Sequence, residues 1–460
     1  MKVSELRLGW YQQNSRFFSV LAVVTFILLT TAQVFWSTIH GDGAVYAWVV
    51  KEVSKAGLLS HTLPNWDQNK SFAEHPYLFF YFSSLFTKLF GFSDLALKIP
   101  NFVIVGVTLF GVYKFSVLRN RLSAGAHQIG LISAYVIVFN SAYMMQASQP
   151  SLDPMAQLFA LLAVGGLIFY RSYFFSGFLL GLAFLTKGLE ILPHLAALFL
   201  LTCHLYRTEP KHLVRILGLQ ALGLFIPVAI WFGTDYFLWD MQWTECYWER
   251  QFLNRFLSHT NIRTPFTFSY LFNFLQTYSL ELFVIAVGLW KSKNWSRRND
   301  PLFIYFLLYT FFNVTAFLLI KKNSSQHLTC VFLLGAAFVG EYLYDFWMRS
   351  RWRILKVFPL FLFLLSFVYW CWFMVKKNEN PDMWTSIKNA GKQTAREENL
   401  PIVIQETNTG EDYGIFYTVQ WYFSTDKVYM QSEASRMIPG REAIFITDIP
   451  NLKIVKATVK

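Results

Sequence analysis

Apolar runs of about 17 to 25 residues, the length an α-helix needs to cross a bilayer, recur along the chain between short polar segments. They fall near residues 17–38, 99–118, 128–147, 155–171, 173–188, 189–206, 213–233, 267–290, 302–320, 328–347 and 354–375, which gives about eleven spans. The stretch from Tyr77 to Phe90 is also apolar, but it is shorter and carries Ser83, Ser84, Thr87 and Lys88. It reads as an interfacial helix that lies on the membrane. From Lys376 the pattern changes. Strand-like runs at Pro401–Gln405, Lys427–Met430, Ala443–Thr447 and Lys453–Val459 alternate with polar, helix-compatible stretches at Trp384–Asn399 and Tyr413–Phe423. The expected architecture is an α-helical polytopic membrane domain over 1–375, with a long outer loop at 39–98, followed by a small C-terminal α/β soluble domain over 376–460.

Composition strengthens this reading. The 460 residues are 54% hydrophobic, 19% aromatic and only 15% charged, more apolar than a soluble interior of this size can absorb. A net charge of +12 would suit a nucleic-acid partner if it lined one face, but the basic residues sit in short loops between apolar runs. No nucleic-acid role is expected. With Tyr77–Phe90 on the surface, one side of the membrane collects Lys2, Arg7 and Arg16, then Arg119 and Arg121, Arg171, Arg207 with Lys211 and Arg215, Lys291 with Lys293, Arg297 and Arg298, and Arg349, Arg351 and Arg353. That bias marks the side as cytoplasmic. The N-terminus is then cytoplasmic, and the 39–98 loop, the Lys187 turn, the Trp-rich loop 234–266 and the tail face the periplasm or the exterior of a multi-pass inner (plasma) membrane protein. The apolar run Phe17–Trp36 is too long for a signal-peptide core and lacks a small-residue cleavage site, so it reads as a retained first span. Cys203, Cys246, Cys330 and Cys371 are scattered and imply neither a disulfide framework nor a zinc knuckle.

Candidate chemistry lies where polar residues break the apolar pattern on the outer side. Directly after the first span comes His40-Gly41-Asp42-Gly43-Ala44, with Asp42 between two glycines that let backbone and substrate approach closely. The plain alternative is an Asp that caps a helix starting at Ala44. Further on stand Glu74-His75-Pro76, then Leu152-Asp153-Pro154, Leu185-Thr186-Lys187-Gly188 and Lys321-Lys322. Asp153-Pro154 also has the form of a helix start, Lys187 that of a snorkelling lysine, and His75 that of a satisfied surface histidine. Lys321 and Lys322 oppose the basic-loop bias, which points to a compensating anion, and an anionic ligand is favoured there.

In their order and on one face, Gly41-Asp42-Gly43, Glu74-His75-Pro76, Leu152-Asp153-Pro154 and Leu185-Thr186-Lys187-Gly188 resemble the membrane glycosyltransferases related to protein O-mannosyltransferases and to the aminoarabinose transferase of lipid A. The resemblance covers roughly residues 15–350. It implies a GT-C-like fold, a polyprenyl-phosphate sugar as donor and Asp42 as catalytic base. Two departures bear on the substrate pocket: His75-Pro76-Tyr77 stands where the family usually has Lys-Pro-Pro or His-Pro-Pro, and Leu189 follows Gly188 where the family usually has Pro.

Simple chemistry is compatible with that implication. Transfer from a polyprenyl phosphate needs a base for the acceptor's proton and cations for the departing phosphate, which is already a good leaving group. The expected roles are Asp42 as base, Asp153 as a second catalytic carboxylate and Glu74 as an acceptor-positioning group, with Lys187, Lys321, Lys322 and His75 binding the donor phosphate. Direct attack with one base predicts inversion at the anomeric carbon. No cofactor is called for; a divalent metal between Asp42, Glu74 and the phosphate is compatible with the pattern, though no ligand spacing demands it. The acceptor is a lipid, a glycan or a protein, and lipid A modification and protein glycosylation are both open. Three other readings stay open: a secondary transporter, which usually shows paired repeats and mid-membrane charges whereas the charges here cluster at the outer surface; a structural or receptor role resting on the outer tail, which would leave the loop carboxylates unexplained; and a ligase that moves a whole glycan from the same kind of carrier.

Overall fold

The computed structural model describes residues 23, 24, 27, 38, 39, 42–57, 65–67, 70–123, 125–138, 140–253, 300–319, 329–349, 368, 383–394, 401–404, 418, 419, 422, 428–431, 434, 438, 442–447 and 453–459. The expected spans at 17–38, 267–290 and 354–375 lie almost wholly outside these residues, as do Lys321 and Lys322. The first described helix is α1 (Asp42–Ala56), followed by a small hairpin of β1 (Asn65–Asp67) and β2 (Lys70–Ser71) and by α2 (Leu78–Phe90). Next come α3 (Asp94–Arg119), α4 (Ala126–Val138), α5 (Ser141–Ala147), α6 (Asp153–Ile168), α7 (Tyr173–Lys187), a tight turn Gly188–Ile191, α8 (Leu192–Tyr206), α9 (Pro210–Trp239) and α10 (Gln242–Tyr247). After the undescribed stretch follow α11 (Pro301–Leu319) and α12 (Thr329–Arg349).

Among the described residues, Asp94–Arg119, Tyr173–Tyr206 and Pro210–Trp239 are long and apolar enough to cross a membrane. The second is not one rod. Gly188 takes φ +67° and reverses the chain, and a Cβ there would come 2.2 Å from the Tyr247 hydroxyl, so the turn demands glycine. Contacts at both ends give the directions. The hydroxyls of Tyr173 and Tyr206 are 2.8 Å apart and Tyr206 packs on His212, which joins the start of α7, the end of α8 and the start of α9. At the other end, the end of α7 meets the start of α6 through Lys187 and Asp153. Helices α6 to α9 therefore run alternately up and down, and α7 and α9 are parallel. These two touch backbone to backbone: a Cβ on Gly177 would fall 1.9 Å from the Gln220 carbonyl oxygen, and one on Gly223 2.1 Å from that of Phe174. Gly177 and Gly181 lie one turn apart and form the small-residue stripe that permits such contact between membrane helices.

Other elements depart from the periodicity in instructive ways. The run at 128–147 is two helices, because Asn140 accepts a hydrogen bond from the Tyr143 amide at 2.8 Å and starts α5 as a cap starts any helix. Helix α2 buries Ser83, Ser84 and Thr87 and exposes Leu85, Leu89 and Phe90, an outward face suited to lipid. Arg119 does not sit in a solvated loop. It ends α3 and pairs with Asp300 at 2.5 Å and with Glu341, beneath the ring of Phe338.

The tail holds α13 (Met383–Thr394) and a four-stranded sheet in the order β4-β3-β5-β6, built from β3 (Ile402–Ile404), β4 (Val428–Met430), β5 (Glu442–Thr447) and β6 (Lys453–Thr458). Strand β3 pairs in parallel with β4 and β5, and β6 is antiparallel to β5. All four strand-like runs of the sequence are strands here. One apolar core lies between the long helices. A second joins α1, α2 and the Trp239–Tyr247 region to the tail sheet, and the candidate chemistry lies against it.

Candidate active site

Helix α1 opens at Asp42, two residues before the expected start, and places this exposed carboxylate in its first turn, where the helix dipole favours negative charge. One turn on, Tyr46 shares its face. The Tyr46 hydroxyl stands 3.4 Å from His75 Nε2, and the His75 carbonyl accepts a hydrogen bond from Trp243 Nε1 at 3.3 Å. His75 is thus buried and held from two sides. Gly43 packs α1 against the loop before α6: a Cβ at Gly43 would come 2.4 Å from Gln149 Oε1 and 3.3 Å from Gln149 Cβ, so a larger residue would require the Gln149 side chain to move.

Asp153 starts α6, yet its carboxylate makes no capping bond to the helix. Instead it pairs with Lys187 from the end of α7, and Ser151 Oγ donates to it at 3.4 Å. Lys187 makes a second ion pair with Glu190 at 2.6 Å. Its side chain is only 9% exposed, so it is not a snorkelling lysine; two carboxylates compensate a charge that burial alone would penalise.

Electrostatics tie these groups together at Tyr46. Its phenol is pushed well above its ordinary pKa by burial first, then by the negative charges of Asp42, Asp153, Glu74 and Glu190. Tyr46 therefore stays protonated, in the negative field of four carboxylates. The structure brings Asp42, Glu74, His75, Asp153 and Lys187 to one end of the helices; Lys321 and Lys322 lie outside the described residues. Tyr46 and Glu190 were assigned no role from sequence, although both sat in view, Tyr46 four residues after Asp42 and Glu190 three after Lys187. Spacing on a helix or turn was the available signal. Among the described residues no group of three or more His, Cys, Asp or Glu side chains could hold a metal ion.

A cavity of about 770 Å³ opens beside the same Gly188–Ile191 turn. Its wall is apolar, with Phe184, Leu195, Leu224 and Phe232 along the helices and Trp243 and Tyr247 at the site end. Tyr247 also accepts a hydrogen bond from the Leu189 amide at 2.8 Å, which fixes the turn that carries Glu190. The Gly188–Ile191 turn thus has Glu190, paired with Lys187, between Leu189 and Ile191, which line an open apolar cavity.

Comparison with known proteins follows the same line. Residues 74–231 match the family model described as dolichyl-phosphate-mannose-protein mannosyltransferase. A search among curated protein sequences found no match. In fold, the chain is similar to ArnT from Cupriavidus metallidurans bound to undecaprenyl phosphate, at a TM-score of 0.64 and 12% identity over 94% of this chain and 93% of that one. It is also similar to the oligosaccharyltransferase of Archaeoglobus fulgidus in its apo form, at 0.53 and 12% identity over 92% of this chain and 65% of that one. In sequence over 74–231, and in fold over nearly its whole length, the chain resembles the polyprenyl-phosphate-dependent membrane glycosyltransferases that include the protein O-mannosyltransferases and the lipid A aminoarabinose transferase.

Proposed function

We propose that this chain is a membrane glycosyltransferase that moves a sugar from a polyprenyl-phosphate carrier to an acceptor hydroxyl or phosphate on the outer face of the membrane, with inversion. The observation that carries the reading is the junction of the carboxylate and lysine cluster with the 770 Å³ apolar cavity. The isoprenoid tail lies in the cavity and the phosphate meets the cluster at its mouth. Asp42, exposed and at the start of α1, takes the acceptor's proton. Asp153 and Glu74 position the acceptor, and Tyr46 donates a hydrogen bond to an oxygen held among them. Lys187, Lys321, Lys322 and His75 face the donor phosphate; Lys187 does so by exchanging a carboxylate partner for a phosphate oxygen. Residues 376–460 form an extracytoplasmic α/β unit over the site, and the basic ends of the helices face the cytoplasm.

The test is mass spectrometry of lipids and glycans from cells with and without the gene, together with sedimentation or native mass spectrometry of the purified chain with undecaprenyl phosphate. Loss of a single sugar from a lipid or protein in the deletion strain, with binding of the carrier lipid, is expected. Loss of a whole glycan would favour the ligase reading. No change in any glycosylated species, with no carrier binding, would reject the transferase.

A further inference from the structure

One residue of the tail reaches the segment that carries Asp42. The Tyr422 hydroxyl accepts a hydrogen bond from the Ile39 amide at 2.8 Å, three residues before Asp42, and donates one to Asp94 Oδ2 at 3.0 Å. Ile39 is fully buried and Tyr422 nearly so. The same Asp94 oxygen receives Lys388 Nζ at 2.5 Å, and Lys388 lies 5.6 Å from the Tyr422 ring centre. Asp94 is in the first turn of α3, after the Ser93 cap. Helix α13 closes tightly on this arrangement, since a Cβ on Gly391 would come 2.7 Å from the Tyr422 backbone. A single hydroxyl therefore ties the approach to α1, the start of α3 and the tail together. Both its donor and its acceptor functions are used, and the charge it faces is compensated by a lysine from the tail.

A surface contact between two independent units needs none of this. Exposed polar pairs hold little energy, but a buried hydroxyl with two fixed partners fixes position, because leaving either partner unsatisfied costs the desolvation of that group. The bond holds the Ile39 amide three residues before Asp42. We infer that Tyr422 is a positioning residue for Asp42, so that the tail completes the active site by holding the base in register. The inference rests on the reading of Asp42 as base.

The experiment uses the full-length chain with Tyr422→Phe, which removes only the hydroxyl, and Asp94→Asn, which removes the charge on which Tyr422 and Lys388 converge. Product is read by mass spectrometry as the glycosylated species lost from the deletion strain, carrier binding with undecaprenyl phosphate, and the clamp by hydrogen exchange in the peptide containing Ile39. A displacement of about 1 Å at a reacting group can cost roughly a hundredfold. With the Lys388 pair still in place, Tyr422→Phe should lower product formation about tenfold. Undecaprenyl phosphate affinity should stay within about twofold, and the Ile39 amide should exchange faster. Adding Tyr422→Phe to Asp42→Asn should cost nothing further, since the base is already gone. Unchanged turnover or unchanged exchange in Tyr422→Phe, or a loss that multiplies with that of Asp42→Asn, would overturn the inference. Full turnover in Asp42→Asn alone is the separate result that removes the base reading.

Discussion

Asp42 and Asp153 are both carboxylates at helix starts, yet their surroundings differ in a way that separates their roles. Asp42 is exposed, whereas Asp153 is bound to Lys187 and has Ser151 beside it. A general base must be free to accept a proton, and such catalysis typically contributes about a hundredfold to ten-thousandfold. Asp42→Asn should therefore lower turnover by at least about a hundredfold with expression intact, and Asp153→Asn should cost less, as measured by sugar transfer with purified variants. Near-normal Asp42→Asn beside inactive Asp153→Asn would exchange the two roles. Lys187 carries a second prediction. Replacement by Met removes the buried charge that pairs with both Asp153 and Glu190, so this variant should lose both donor binding and thermal stability, the latter by about 3–5 kcal/mol as for other broken buried pairs, while Lys293→Met should do little. Equal behaviour of the two would remove Lys187 from the site. Asp42, Glu74, His75, Asp153 and Lys187 were legible because each interrupts an apolar pattern. Glu190 was not, because its meaning depends on the reversal at Gly188, and Tyr46 was not, because an aromatic residue in a chain this rich in them carries no signal until its neighbours are known.

At the scale of elements, the parallel contact of α7 and α9 depends on glycine. Gly177→Leu would drive a side chain into the Gln220 carbonyl, and overpacking of this kind costs about 1–3 kcal/mol or more. The expected outcome is a lower melting temperature in detergent and loss of activity, whereas Gly218→Leu, where a Cβ meets nothing within 4 Å, should be tolerated. Near-equal melting temperatures would count against the close approach. Hydropathy located α3 and α6 to α9 to within a few residues because burial in lipid or in a helix core selects the same apolar residues. It missed the break at Asn140, since a single cap within an apolar run barely changes the average. The hairpin at Asn65–Ser71 was missed because its strands are too short to show alternation. The strands of the tail were legible because short runs rich in β-branched residues, such as Ile402-Val403-Ile404, stand there between polar stretches.

For the whole molecule, the two ends of the helices carry different chemistry. One gathers Asp42, Glu74, Asp153, Lys187 and Glu190, and the other Arg119, Asp300, Glu341, Arg171 and the Tyr206–His212 pair. If the basic end is cytoplasmic, cysteines introduced at positions 121 and 211 should resist a membrane-impermeant reagent in intact cells, and one at position 190 or 431 should react. Labelling at 211 in intact cells would reverse the orientation. The separation into ends was readable from the sequence because it follows charge and turn positions. The docking of the tail was not, since Tyr422, Lys388 and Asp94 are brought together only by the folded chain.

The lengths of α6, α7 and α8 have a further consequence. At 15 or 16 residues each they rise only about 22–24 Å, against about 30 Å of hydrocarbon in a typical bilayer. A protein that is too short at one side draws the lipid surface toward it. On the transferase reading proposed above, the bilayer would thin beside α7 and α8, and the Asp153–Lys187–Glu190 cluster would lie at the floor of the resulting dimple, within reach of a phosphate that stays at its own depth among the headgroups. The lipid-linked donor then need not be lifted out of the membrane to react. In vesicles of increasing acyl-chain length, turnover should fall as the mismatch grows while intrinsic tryptophan fluorescence stays constant; turnover that does not depend on chain length would show that the site reaches the surface by another route.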